Sequence, residues 1–452
     1  MAQGVDVQLH KGLKQRHLTM IALGGVIGAG LFVGSGVVIK GVGPGAFLTY
    51  ALTGALIIMV MRMLGEMALA NPSTGSFAEY ARQALGDWAG FSVAWLYWYF
   101  WVIVVGFEAV AGAGILQKWL PEVPLWILSL GLLLLMTATN LYSVRSYGEF
   151  EYWFAGIKVA AICVFLVLGT LFILGLWPHH GLDFSNLTAH GGFFPNGAGA
   201  IFSGIVVVIF SMVGAEIATI AAAESAEPGR AIVKATNSVI LRILIFYVGS
   251  IFLLTVILPW DSPRLGGSPY VAAFERMGIG WAGQVMNAVV LTAVLSCLNS
   301  GLYTASRMLF VLAGRREAPA RLMDTNKRGV PVAAILSSTL VGYLSVNAAY
   351  VSPKTVFLFL LNSSGAVILF VYLQIGVSEL VMRRRLPEEK LQIKMWLYPY
   401  LTLLTIAAMV GVLVSMLFRE DSRSQLLLSL LAFAVVLAVY PLTRRFSRVV
   451  HP

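Results

Sequence analysis

Gly24-Gly25-Val26-Ile27-Gly28-Ala29-Gly30-Leu31-Phe32-Val33-Gly34-Ser35-Gly36 places six glycines in thirteen residues, inside the first long apolar segment of the chain. Each glycine costs a helix interior about 1 kcal/mol relative to alanine. Inside a bilayer the loss is more severe, because lipid offers no partner to backbone groups released from the helix. A break there persists only where the freed N–H and C=O groups face protein, water or a polar ligand. Many secondary transporters build a mid-membrane substrate site in this way, so the stretch predicts a transporter.

Composition carries the same message along the whole chain. Apolar residues make up 58% of the 452 and charged residues 12%, about half the charged share of a soluble domain. Apolar runs long enough to cross a bilayer recur from end to end, at roughly 18–39, 44–70, 88–117, 124–142, 150–176, 197–222, 236–258, 281–312, 331–350, 354–381, 396–418 and 424–442. The chain reads as an all-α integral membrane protein of twelve transmembrane helices in a single domain, 1–452. A basic tail precedes the first run and eleven more follow it, which argues against a cleaved signal peptide. The tails 1–17 and 443–452 are too short to fold alone.

The net charge of +10 follows topology. With the N-terminus inside, 20 of the 31 Lys and Arg fall in cytoplasmic segments, 7 in external ones, and 4 (Arg62, Lys158, Arg242, Arg307) within runs. This bias places both termini in the cytoplasm, with basic loops against anionic lipid, and needs no nucleic-acid partner. Cys163 and Cys297 lie in apolar runs and read as small buried hydrophobes. There is no CxxC or Cys/His cluster, so neither metal nor redox cofactor is predicted. His179, His180 and His190 read as parts of a solvated external loop.

A second interruption, Phe210-Ser211-Met212-Val213-Gly214-Ala215-Glu216, lies in the sixth run. A five-span unit that recurs must run in the opposite direction, and broken helices opening both halves mark the LeuT-type 5+5 inverted repeat. Repeat one is then 18–176, repeat two 197–381, and 396–442 supplies two added helices. If the first helix is unwound over 27–30, the N–H groups of Ala29, Gly30 and Leu31 open a half-helix whose positive end suits a carboxylate. The half-helix ending near 210–213 offers free carbonyls and a negative end, which suit an ammonium. Ile27, Gly28, Ala29, Gly30, Leu31, Phe210, Met212, Val213 and Gly214 thus form a candidate site for a zwitterionic amino acid, with Phe210 placed to cover it. Close packing through Gly24/Gly28 and Gly30/Gly34 is the structural alternative.

Ionisable groups within a membrane are functional candidates by default. Lys158 lies about eight residues into the fifth run, roughly 12 Å from its start. Its immediate neighbours offer no counter-charge, and Glu149 and Glu151 lie nearer the cytoplasmic end. A desolvated lysine can exchange a proton near neutrality, which makes Lys158 a candidate carrier of a coupling proton, H+. Glu216 follows the second break and is expected to pair with backbone N–H groups or Lys158, to gate a pathway, or to brace the unwound backbone. Glu108, deep in the third run, is a candidate partner for a substrate ammonium or for a buried arginine. Arg307 is expected to snorkel or pair near the cytoplasmic end of the eighth.

At these residues the chain resembles the amino acid permeases of the amino acid–polyamine–organocation superfamily, over nearly its whole length. The matching pieces are Gly12-Leu13-Lys14-Gln15-Arg16-His17, Ile27-Gly28-Ala29-Gly30-Leu31-Phe32, Asn71-Pro72-Ser73-Thr74-Gly75-Ser76-Phe77, Gly148-Glu149-Phe150-Glu151-Tyr152-Trp153-Phe154, Lys158 and Ala223-Glu224-Ser225. Four further stretches resemble bacterial 4-aminobutyrate (GABA) permeases: Trp95 to Trp101, Met212 to Ser225, Ser296 to Met308 and Asn362 to Ala366. The resemblance implies proton-driven uptake across the cytoplasmic (inner) membrane. It implies a substrate carboxylate on Ala29 and Gly30, an amine on carbonyls near Val213, an occluding Phe210, and Lys158 at a former sodium site. Ala29 stands where many relatives carry serine, leaving the carboxylate to backbone N–H groups. The expected partners are a small amino acid, protons and lipid, with no oligomeric state indicated. The alternatives are a permease for a neutral or aromatic α-amino acid and a transporter-like nutrient sensor. A channel would show a repeated polar lining, and an enzyme a nucleophile with its base; neither pattern occurs.

Overall fold

Helices supply every regular element among the described residues of the computed structural model, which are 16–17, 20, 27–73, 75–217, 219–220, 227–351 and 353–449. Gly24, Gly25, Val26 and the Ala223-Glu224-Ser225 motif lie outside them. Among the described residues, a helix starts where the glycine density predicted a break. Gly28 is extended, with φ −127° and ψ −155°, and α1 (Ala29–Phe32) starts directly after it. A one-residue kink at Val33 separates α1 from α2 (Gly34–Val42). Gly43 ends α2 at φ +91°, a conformation that strains an L side chain, and its missing Cβ leaves room for the Pro195 ring.

The helices that follow track the apolar runs closely. They are α3 (Ala46–Ala70), a short amphipathic α4 (Ser76–Leu85), α5 (Asp87–Leu116), α6 (Leu125–Tyr142) and α7 (Val144–Ile173). Next comes α8 (Ala200–Met212), which stops at the second predicted break: Val213 turns extended and Gly214 takes φ +107°. α9 (Pro228–Arg242) continues through a π-helical segment, Ile243–Gly249, into α10 (Ser250–Ile257). The remainder is α11 (Pro269–Arg276), α12 (Gly280–Gly314), α13 (Val332–Val351), α14 (Pro353–Met382), α15 (Tyr400–Leu417) and α16 (Glu420–Val449). Eight helical stretches among the described residues are long and apolar enough to cross a membrane. α8, which ends at the second break, is apolar but only 13 residues long.

Burial identifies the centre of the bundle. In α5, 78% of the apolar window is buried, against 11% in α16. The partner that α5 contacts over the greatest length is α12, and their approach depends on missing side chains. A Cβ at Gly301 would stand 3.0 Å from both Trp101 and Val105; one at Gly65 would stand 2.5 Å from Thr236 Oγ1. Small residues at such crossings let helices gain van der Waals contact where lipid removes the usual hydrophobic drive. Outer helices turn Leu134, Leu135, Val164, Val167, Leu336 and Leu340 outward, a surface suited to acyl chains. Arg82 on α4 grips Glu317 at 2.8 Å and Asp87 at 3.2 Å.

Gly301→Val is therefore expected to wedge α12 from α5 and to cost about 1–3 kcal/mol by overpacking. Thermal unfolding of the purified protein in detergent reads this as a lowered Tm; an unchanged Tm contradicts the close-packed crossing.

Candidate functional site

The two interrupted helices meet. Gly30 sits against α8 so closely that a Cβ would lie 2.8 Å from Ser211 Cα and 3.3 Å from Phe210 Cδ1. Between them opens a cavity of about 260 Å³, open mouth included, lined by Gly28, Gly30, Phe210, Ser211 and Val213 from the breaks. Phe100, Trp101, Val104 and Glu108 of α5 and Cys297 of α12 complete it. Four of these five were not predicted as site residues. Positions 100, 101, 104 and 108 recur at helical spacing on one face of α5, so Glu108 carried the signal for the other three.

Phe210 packs edge-on against Phe107 at 4.9 Å between centroids and lies 6.3 Å from Phe100, forming an apolar roof beside the polar breaks. Ile27, Ala29 and Leu31 are buried around the first break. Leu31 and Phe32 return their N–H groups to the Gly28 carbonyl at 3.3 Å. Met212 belongs to the predicted set but points elsewhere: its Cε faces the α3 surface at Gly54. One residue of helix rotates a side chain by about 100°, which carries Met212 off the face that Ser211 and Phe210 present.

Three ionisable side chains answer the broken backbone. Both carboxylate oxygens of Glu108 accept from the Ala29 N–H at 3.2 Å, so the amide expected to take a substrate carboxylate is held by a carboxylate of the chain itself. A Cβ at Gly28 would meet Glu108 Oε1 at 2.6 Å and Cys297 Cβ at 2.8 Å; glycine is needed there by close approach. Lys158 Nζ donates to the Ile27 carbonyl at 2.8 Å and to Ser296 Oγ at 2.7 Å. Its counter-charge is Glu151, 4.0 Å away and equally buried. Seven residues span about two helical turns, so this pairing along α7 supplies what the immediate neighbours of Lys158 lack. Glu149 turns the other way, to Arg16 and His17.

Glu216 does not reach Lys158. Its carboxylate accepts from the Gly214 N–H at 3.1 Å, Tyr97 Oη at 3.0 Å and Tyr372 Oη at 3.2 Å, which braces the second break between α5 and α14. Lys158 is engaged by Ile27, Ser296 and Glu151 around the first break, which leaves the two side chains in separate networks. Tyr247 Oη donates to the Ser211 carbonyl at 2.9 Å. Arg307 is buried over the Tyr303 ring at 4.3 Å, stacked and not snorkelling. In the loop between α7 and α8, His190 contacts Asp261 and His180 stacks on Phe172.

Comparison with known proteins gives this geometry its context. The amino acid permease family model matches residues 17–450. The chain is 56% identical to the gamma-aminobutyric acid permease of Bacillus subtilis, covering 97% of this chain and 94% of that protein. It is 48% identical to the gamma-aminobutyric acid permease of Escherichia coli, with 98% and 96% covered. It is 41% identical to an aromatic amino acid transport protein of Corynebacterium glutamicum, with 92% and 91% covered.

The contacts at Gly28 and Gly30 predict that a single added methyl group displaces Glu108 or α8. Gly28→Ala and Gly30→Ala are expected to lower substrate uptake into proteoliposomes by about 100-fold, the cost of misplacing a site by about 1 Å. Uptake at the wild-type rate by both variants would remove the cavity from the transport path.

Proposed function

The chain belongs to the amino acid permease family, and on that premise we propose that it couples proton entry to uptake of 4-aminobutyrate and related ω-amino acids across the cytoplasmic membrane. In this reading twelve spans form a LeuT-type 5+5 inverted repeat with two added helices and both termini inside, and alternating access moves the site from one face to the other. One observation carries the proposal above the rest: both helix breaks open onto one small cavity, with the N-terminus of one half-helix and the C-terminus of another facing it.

The substrate carboxylate takes the N–H groups at Ala29 and Gly30, displacing Glu108 from the Ala29 amide. Glu108 and the carbonyls near Val213 then receive the ammonium, while Phe210 covers the apolar methylenes. Lys158 holds the first break through the Ile27 carbonyl, so its protonation state bears directly on the backbone that binds substrate. Charge-assisted hydrogen bonds are roughly twice as strong as neutral ones, and loss of the proton therefore slackens the break. The names of the Bacillus and Escherichia relatives support GABA as cargo. The walls support a slender cargo as well: Phe100, Trp101 and Phe210 already line the cavity with rings. A linear chain fits there better than an indole or phenol. The aromatic-transport relative supports the second reading, an aromatic α-amino acid.

A competition panel separates the two. Uptake of labelled GABA into proteoliposomes is expected to rise with an inward proton gradient and to be suppressed by short ω-amino acids. Tryptophan, tyrosine and phenylalanine should compete poorly; if they displace GABA fully, the aromatic reading stands instead. Lys158→Ala is expected to abolish proton-driven accumulation, measured as the steady-state ratio of internal to external label. Accumulation at the wild-type ratio removes Lys158 from the coupling.

A further inference from the structure

We propose that Glu151, reached through the Ser296 hydroxyl, is the group that takes the proton from Lys158 and passes it toward the cytoplasm; this rests on the coupling role given to Lys158 above. The hydrogen bonds already point along that route. Lys158 Nζ donates to Ser296 Oγ at 2.7 Å, and Ser296 Oγ donates in turn to Glu151 Oε1 at 2.5 Å. The direct Lys158–Glu151 separation of 4.0 Å exceeds hydrogen-bond length, so the hydroxyl is the bridge. All three side chains are fully buried, where the protein itself must carry the proton.

The surroundings favour a relay over a static ion pair. Lys158 is faced by Glu151 on its own helix, Glu108 on α5, Cys297 on α12 and Arg242 on α9. The Glu151 carboxylate is faced by Ser300 and Asn299 of α12, yet its Oε2 makes no hydrogen bond, and neither does the buried Asn299 Nδ2. Unmet capacity at a buried carboxylate is costly, and a proton arriving at Glu151 removes the charge that makes it so. Polar groups continue beyond it: Ser300 Oγ lies 3.4 Å from Tyr147 Oη, and Asn299 Oδ1 accepts from Asn140 Nδ2 at 2.8 Å. Tyr147 and Asn140 stand near the start of α7 and the end of α6, the side that the charge bias assigns to the cytoplasm.

In the transfer, the Lys158 ammonium gives a proton to Ser296 Oγ as that hydroxyl passes its own proton to Glu151 Oε1. One N–H and one O–H bond break and two O–H bonds form. The ammonium–carboxylate pair becomes a neutral amine and a neutral carboxylic acid, so no unpaired charge is left in the apolar interior. Glu151 then releases the proton to water once the cytoplasmic side opens.

The test uses the full chain in proteoliposomes, with labelled GABA, and reads the ratio of proton-driven uptake to GABA counterflow across external pH in H2O and D2O. Ser296→Ala removes one hydroxyl and is expected to lower that ratio by at least about tenfold, in line with the loss of a positioned proton-transfer group. It should also alter the pH profile and the solvent isotope effect, while Ser296→Thr, which keeps a hydroxyl, restores all three. Glu151→Gln is expected to lower the ratio likewise, but it strips Lys158 of its counter-charge, so the serine pair decides the matter. A Ser296→Ala protein with the wild-type ratio, pH profile and isotope effect overturns the relay, while a Lys158→Ala protein that fails to accumulate GABA leaves the coupling role standing. Accumulation by Lys158→Ala overturns both.

Discussion

A helix broken inside a membrane must have each freed backbone group answered by something other than lipid, and in this chain side chains give the answers, three of the four from distant helices. The Ile27 carbonyl is taken by Lys158, the Ala29 N–H by Glu108, the Ser211 carbonyl by Tyr247 and the Gly214 N–H by Glu216. Three of these four partners, Lys158, Glu108 and Glu216, carry an amino or a carboxyl group. Backbone accounting and the placement of buried charge are thus one problem. Each break is stable only while a polar side chain is positioned beside it, and each such buried group is tolerable there only because the break supplies a hydrogen bond.

That mutual dependence explains why α5 and α12 form the most buried pair. α5 carries Glu108 to the first break and Tyr97 to the brace of the second. α12 carries Ser296 to Lys158 and Cys297 to the cavity wall. Neither helix can drift without uncovering a buried polar group, and the missing side chain at Gly301 brings them close enough to serve both breaks at once. The outer helix α16 has no such duty and leaves most of its apolar surface outward.

Both interruptions and most of the long helices were legible in the sequence because they are local: glycine density, apolar length and flanking charge act within a few residues, although starts such as Val144 and Pro228 lie six to eight residues before the expected runs. The expected run 88–117 and the helix Asp87–Leu116 differ by one residue at each end. Pairings were less legible. Backbone N–H groups and Lys158 were both expected partners for Glu216; the Gly214 N–H, Tyr97 and Tyr372 take it, while Glu151 and Ser296 serve Lys158. Hydroxyl groups carry no charge to draw attention, and their role depends on three helices meeting at one point. Met212 misled for a geometric reason: it shares a segment with Phe210 and Val213 but not a face. Glu151 was within reach of sequence reasoning, since a seven-residue spacing on a helix returns to nearly the same face.

The same accounting bears on what the proposed cycle can carry. A ligand carboxylate that takes the Ala29 amide deprives Glu108 of its hydrogen bond, and an uncompensated buried charge is strongly destabilising, by about 3–5 kcal/mol where one partner of a buried pair is removed. A simple monocarboxylate brings no remedy. A zwitterion brings its own cation, and its ammonium can satisfy the carboxylate that its other end has displaced. In the proposed cycle the discrimination lies in the exchange of partners at one backbone amide more than in the shape of the cavity. It also sets a limit on substrate length: the methylene chain must let one molecule reach both the mouth of the first half-helix and the displaced Glu108 beneath the Phe210 ring. Such a site tolerates variation in where the amine is attached as long as that reach is met.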